Sequence, residues 1–138
     1  MTSGSLARSY LKKAMARLEI LDVLLRNGAY SDVIREAQEV VELALKAMLR
    51  SVGIEPPKVH DVGSFLKEHR GRFVAEVSAR VDRLAEISKE LRKDRELSFY
   101  GDIDFIPTEE YDVDDAKKAR EGAYHVVETA RMVVSEAP

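Results

Sequence analysis

Apolar side chains recur every three or four positions in four long stretches of the chain, the spacing that gathers them on one face of an α-helix. Leu6, Tyr10, Leu11, Ala14, Leu18, Leu21 and Leu25 form the first stripe, over 6–26, and the Asn-Gly pair in NGAY at 27–30 stops it. Ser31 is the N-cap expected for the second helix, with Asp32 suited to its positive end. The second stripe is the most continuous: Val33, Ala37, Val40, Val41, Ala44, Leu45, Met48 and Val52. Gly53 ends it, and Pro56-Pro57 argues against an immediate restart. A short helix over 61–69 follows, N-capped by Asp61, with Val62, Phe65 and Leu66 inward. Gly71 separates it from a long helix predicted over 73–97, whose stripe is Phe73, Val77, Val81, Leu84, Ile87 and Leu91. The last helix, 113–134, turns Ala116, Ala119, Ala123, Val127, Ala130 and Val134 inward, and its alanines allow close packing. No segment sustains period-two alternation, so no sheet is expected. The pattern predicts an all-α, up-and-down bundle of four long helices and one short one.

The 138 residues suit a single domain over 1–138, long enough to bury a core without metal or disulfide staples. Cysteine is absent, which removes disulfides, thiolate chemistry and cysteine-ligated zinc together. MTSGSLARSYLKKAMARLEI holds no long uncharged apolar run, so neither a signal peptide nor a membrane span is expected there, and a cytoplasmic protein is. The 25 acidic residues outnumber the 22 basic ones, for a net charge of -3. That balance disfavours a protein built to coat nucleic acid, though it leaves room for a local basic patch. Charged residues make up 34% of the chain and, with the lack of cysteine, lean toward a thermophilic source.

Candidate chemistry is sparse. KVHD places Lys58, His60 and Asp61 at the start of the short helix; His60 could act as a base oriented by a carboxylate, or Asp61 is simply an N-cap. Glu42 and Lys46, and Arg35 and Glu39, are pairs four apart that ordinarily decorate a solvated helix face, worth about 0.2–0.5 kcal/mol each. His60, His69 and His125 fall on three different elements, so no metal site is expected, and no phosphate-cradling glycine loop or nucleophile elbow is present. No cofactor is expected. What remains is LRKDRELSFYGD at 91–102, where Arg92, Lys93 and Arg95 precede Tyr100 and Asp102. Cations at a helix C-terminus are stabilising in their own right. Guanidinium groups beside an aromatic are also what a phosphate or nucleotide site requires.

The stretch YSDVIREAQEVVELALKAMLRSVGIEPPKVHDVGSFL and the later FYGD, IP, Y and DA pieces together resemble the HEPN family, over about 5–134. The resemblance implies a four- or five-helix bundle like the substrate-binding subunits of nucleotidyltransferases. It also implies a homodimer and a minimal nucleotidyltransferase partner, in some relatives as a toxin–antitoxin pair. Ribonuclease members carry an arginine, four to six residues and then a histidine near the end of a long helix, and two such motifs meet across the dimer. Here Arg95 stands in the arginine position, and Tyr100 stands where the histidine is expected. An unperturbed tyrosine, with a pKa near 10, is a poor general base at neutral pH. The expected site is therefore Arg92, Arg95, Tyr100 and Asp102, binding a nucleotide or RNA phosphate without catalysis, with Lys58, His60 and Asp61 as accessory candidates. Three alternatives stay open: a metal-independent ribonuclease using Arg95 and Tyr100, a purely structural dimerising bundle, and Tyr100 as an acceptor for modification by the partner enzyme.

Overall fold

A computed structural model describes residues 3–58 and 61–134, with the side chains of residues 3 and 95–99 outside that description. Helix α1 spans Ser3–Arg26 and α2 spans Tyr30–Ser51. A left-handed Gly28 between them reverses the chain, and the Gly28 and Ala29 amides donate to the last carbonyls of α1. α2 begins one residue before the predicted cap. Ala29 is its N-cap without a side-chain bond, and Ser31 is buried in its first turn. After the turn at Gly53 come α3 (Val62–Glu68), a 3-10 turn (Arg70–Arg72) and the single-turn α4 (Ala75–Ser78). Then follow α5 (Val81–Phe99), the single-turn α6 (Pro107–Glu110) and α7 (Val113–Val133).

The helix predicted over 73–97 is two helices. Phe73 and Val74 are extended, α4 closes after one turn, and Arg80 donates its amide to Val77 rather than continuing the four-residue ladder. The stripe survives the break because Val77 and Val81 face the same core from either side of it. The Arg80 guanidinium reaches Thr129 on α7 at 3.3 Å, so the turn also ties the two helices together.

α2 is the central element: it packs against α1, α3, α5 and α7. Val33, Val40, Leu45 and Met48 of the predicted stripe are fully enclosed, and so is Leu49, which the stripe does not include, while Val52 at its end is only partly covered. α5 and α7 run antiparallel, with Arg80 opposite Thr129 at one end and Glu90 opposite Lys118 toward the other. Close approach there depends on Gly122, where a Cβ would meet Ile87 Cγ2 at 3.0 Å. Every predicted inward residue of α5 and α7 is buried, and so are Leu11, Ala14, Leu18 and Leu21 of α1; Tyr10 and Leu25 are only partly covered. The bundle is all-helical among the described residues, with one isolated bridge in the loop after α5. No described helix is long and apolar enough to cross a membrane.

Candidate functional site

The end of α5 is set by Gly101, whose backbone is left-handed at φ 74°. Beyond it the chain makes a closed turn: Asp102 and Phe105 exchange both backbone hydrogen bonds at 2.9 Å. Asp102 also spends a carboxylate oxygen inside this turn, accepting from the Ile103 amide at 2.6 Å. Phe105 lies edge-on against Tyr111, with ring centroids 5.5 Å apart. Pro107 starts α6, where a missing N–H costs nothing. Asp112 and Asp115 then form a reciprocal capping box that starts α7. The segment between α5 and α7 is thus a sequence of defined turns, and Tyr100 stands at its root 75% exposed.

Of the other expected site residues, Arg92 meets the start of α3. Its Nη1 lies 3.4 Å from Asp61 Oδ1 across the α3–α5 contact. Asp61 caps α3 by accepting from the amide and the hydroxyl of Ser64. The Ser64 hydroxyl, with Arg92 beside it, holds the Asp61 carboxyl below its usual range. A cleft of about 390 Å³ opens next to this pair, lined by Ser64, Lys67, Asp82, Glu86 and Lys89 as well as Asp61. Arg92 and Tyr100 are separated by two helical turns, a rise of roughly 12 Å. Lys58 is exposed, His60 lies outside the described residues, and so does the side chain of Arg95. Glu42 and Lys46 make the predicted pair at 3.1 Å, half-buried rather than on a fully solvated face. His69 lies 2.9 Å through Nδ1 from the Phe65 carbonyl oxygen and packs on the Phe65 ring, while His125 sits on α7; among the described residues no cluster could hold a metal ion.

Two features went unseen in the sequence. Asp22 on α1 accepts from Arg120 and, at 3.0 Å, from the Tyr124 hydroxyl, and the Arg120 guanidinium also lies over the Tyr124 ring at 4.5 Å. The Arg120 hydrogen bond keeps the Asp22 carboxyl below its usual range. The second is a groove of about 130 Å³ between α2, α5 and α7, with Ile34, Ile87 and Leu91 as its floor and Glu90, Asp94, Asp115 and Lys118 at its rim. Burial raises the Asp94 carboxyl above its ordinary value, and Asp115 and Glu90 add to this against the opposing Lys93. Burial, then Asp94 and Asp115, push the Tyr111 hydroxyl up to about 12.

An acid whose folded pKa exceeds its unfolded value, near 3.9 for aspartate, binds more protons folded than unfolded between the two. Its contribution to stability therefore falls as pH rises through that window. Asp94→Asn is expected to raise the thermal midpoint at neutral pH and to leave it unchanged well below the ordinary aspartate range. Paired thermal melts across pH check this; a variant less stable than wild type at pH 7 would show that the Asp94 charge has a stabilising use.

A family model described as HEPN domain matches residues 7–134, nearly the whole chain. Comparison with curated proteins and with solved structures finds no match.

Proposed function

The chain belongs to the HEPN domain family, and on that premise we propose that it is a non-catalytic subunit that binds a nucleotide or RNA phosphate and acts with a minimal nucleotidyltransferase. Membership carries a nucleotide- or RNA-related role in general. The observation that carries the finer reading is the exposure of Tyr100, which by the resemblance takes the position at which ribonuclease relatives have their histidine. Its phenol is an inadequate base for a ribose hydroxyl at neutral pH, yet it offers a stacking face and a hydrogen bond. Arg92 supports the binding half of the proposal. Its pair with Asp61 is long at 3.4 Å and partly exposed, so a phosphate can compete for the guanidinium. Lys67 and Lys89 line the adjacent cleft, where the carboxylates of Asp61, Asp82 and Glu86 offset their charge, so the guanidinium of Arg92 is the group that recognises the anion. Asp102 is occupied within its own turn, so its role is to shape the turn that carries Tyr100.

Titration with nucleotides and short RNA, with chelator present, tests the proposal. Saturable binding without strand cleavage is expected. Arg92→Ala and Arg95→Ala should each weaken binding about tenfold or more, the scale of one charge-assisted hydrogen bond of roughly 1.5–3 kcal/mol. Absence of binding both to nucleotides and to a nucleotidyltransferase would remove the proposal. The second reading is the metal-independent ribonuclease, which Arg95 near the end of α5 favours. Cleavage that disappears in Arg95→Ala would put that reading first.

A further inference from the structure

α2 starts without a side-chain cap. Ala29 is its N-cap and makes no side-chain bond, and the first rung of the ladder is the Val33 amide donating to the Ala29 carbonyl at 3.1 Å. The amides of Tyr30, Ser31 and Asp32 come before that rung, so they need acceptors from outside the helix. Beside them the Ser31 side chain is only 6% exposed, and its hydroxyl has no hydrogen-bond partner among the described residues. A buried hydroxyl in that state costs stability unless something meets it. These groups open into one cleft of about 110 Å³, lined by Tyr30, Ser31 and Asp32 on one side and by Pro107, Thr108 and Tyr111 on the other. Phe105 lies edge-on against the Tyr111 ring and holds it. The Tyr111 hydroxyl is enclosed without a partner and feels Asp94 and Asp115 of the neighbouring groove, so its ring is what it offers the cleft. At about 10–15 Å³ apiece the cleft holds roughly seven to eleven water-sized groups, the scale of one bicyclic ring and not of a whole nucleotide.

Charge decides what kind of ring fits. Of the residues lining the cleft Asp32 alone is charged, and its carboxylate has no ion pair or hydrogen bond among the described residues. Glu109, Glu110 and Asp112 flank the far wall in sequence. Arg26 lies in the last turn of α1, where it acts with Arg120, the stronger influence, on the Asp22 carboxyl. One arginine against four acids leaves the cleft unfavourable for a phosphate or a carboxylate, although a helix start by itself favours anions. An uncharged ring is not repelled if it accepts from the α2 amides and Ser31 and donates to Asp32. Guanine meets those terms. Its N1–H and 2-amino group are parallel donors that match the two oxygens of a carboxylate, and its O6 and N7 are adjacent acceptors. Adenine and cytosine present an amino group without that donor pair, and uracil has a single N–H between two carbonyls. Asp32 near the start of α2 would by itself be ordinary helix chemistry; the buried hydroxyl and the two aromatic residues around it are not.

We propose that the cleft between the start of α2 and the α6 turn is a pocket for a guanine base. Asp32 accepts from N1–H and the 2-amino group, the Ser31 hydroxyl and the first amides of α2 donate to O6, and Tyr30 and Tyr111 supply aromatic faces for the ring. The inference goes beyond the phosphate-binding proposal, which rests on Arg92 and Arg95, and does not need it, because the base is recognised without its phosphate.

Titration of the full chain with guanosine, which carries no phosphate, tests it by calorimetry or by amide chemical shifts. Saturable binding with a dissociation constant of about 1 mM or tighter is expected, with the largest shifts at the amides of residues 30–32. Adenosine, cytidine and uridine should each bind about tenfold more weakly or worse, because each leaves a polar group of the pocket unpaired. Inosine, which is guanosine without the 2-amino group, should lose about tenfold for the one hydrogen bond it cannot make to Asp32. That comparison uses the wild-type chain, so its answer does not depend on how a variant folds. Asp32→Asn should weaken guanosine about tenfold or more with the thermal melt little changed, and Asp32→Glu should recover part of the loss. Arg92→Ala should leave guanosine binding as it is, so the two proposals fail separately. Guanosine that does not saturate by about 1 mM overturns the proposal. So does guanosine bound no better than adenosine or inosine, or bound equally well by Asp32→Asn.

Discussion

Leu45→Ala is expected to lower the free energy of unfolding by roughly 2–5 kcal/mol, the range for truncating an enclosed leucine. Leu45 has no exposed surface and lies in the middle of α2, the helix that packs on α1, α3, α5 and α7. Truncation there removes contacts to several helices at once, and none of them can collapse into the gap without leaving another partner. Set against the about 5–15 kcal/mol by which a domain of this kind is stable, the loss is large enough to populate the unfolded chain. Leu25→Ala is the comparison. Leu25 is only partly covered near the end of α1, so a smaller loss is expected. Urea unfolding of both variants measures the difference, with an unchanged m-value showing that the same surface is exposed. If the two losses were equal, the placement of α2 at the centre would be wrong.

The contrast between Leu45 and Leu25 shows what hydrophobic spacing reveals. Where a stripe is continuous and central, as from Val33 to Met48, burial follows residue by residue. Periodicity reports the direction a side chain faces, not whether the backbone hydrogen-bond ladder is unbroken. Val77 and Val81 keep the helical interval across a turn, so α4 and α5 looked like one helix. Interactions between distant positions left still less trace. Asp22 meets Arg120 and Tyr124 because α1 and α7 are neighbours in space, and nothing in the local pattern of any of the three marks the pairing. Asp94, Asp115 and Tyr111 likewise become a group only when α5 and α7 pack. The Asp112–Asp115 box was different: an acid three residues after a capping acid is a readable helix start, masked here by the many acids around it. As for the site, the sequence marked Tyr100 by comparison with a family pattern, but it could not show that Arg92 is shared with the Asp61 cap or that Asp102 is committed to its own turn.

That turn leads to the second large effect. Gly101→Ala is expected to open the turn after α5. A left-handed backbone costs an L-residue roughly 1–2 kcal/mol, and at Gly101 the strain is joined by overlap: an added Cβ would lie 2.5 Å from the Phe105 carbonyl oxygen and 2.5 Å from Pro107 Cδ. One is backbone and the other part of a rigid ring, so neither yields by a side-chain rotation. The cheapest relief is to break the paired hydrogen bonds between Asp102 and Phe105, which also releases Phe105 from Tyr111. Gly28 provides the control. Its φ of 72° is nearly the same, but a Cβ there meets nothing within 4 Å, so Gly28→Ala carries the backbone strain alone. Hydrogen exchange at the Phe105 amide should accelerate strongly in Gly101→Ala and hardly at all in Gly28→Ala, because an added Cβ at Gly28 meets nothing within 4 Å and does not press on the Asp102–Phe105 turn. Equal acceleration in both would mean that overlap at Gly101 is relieved elsewhere. The same pair of variants bears on function: if Tyr100 takes part in phosphate binding, loss of the turn that follows it should weaken nucleotide affinity in Gly101→Ala while Gly28→Ala binds as wild type. Unchanged affinity in an opened turn would confine binding to Arg92, Arg95 and the α3–α5 cleft.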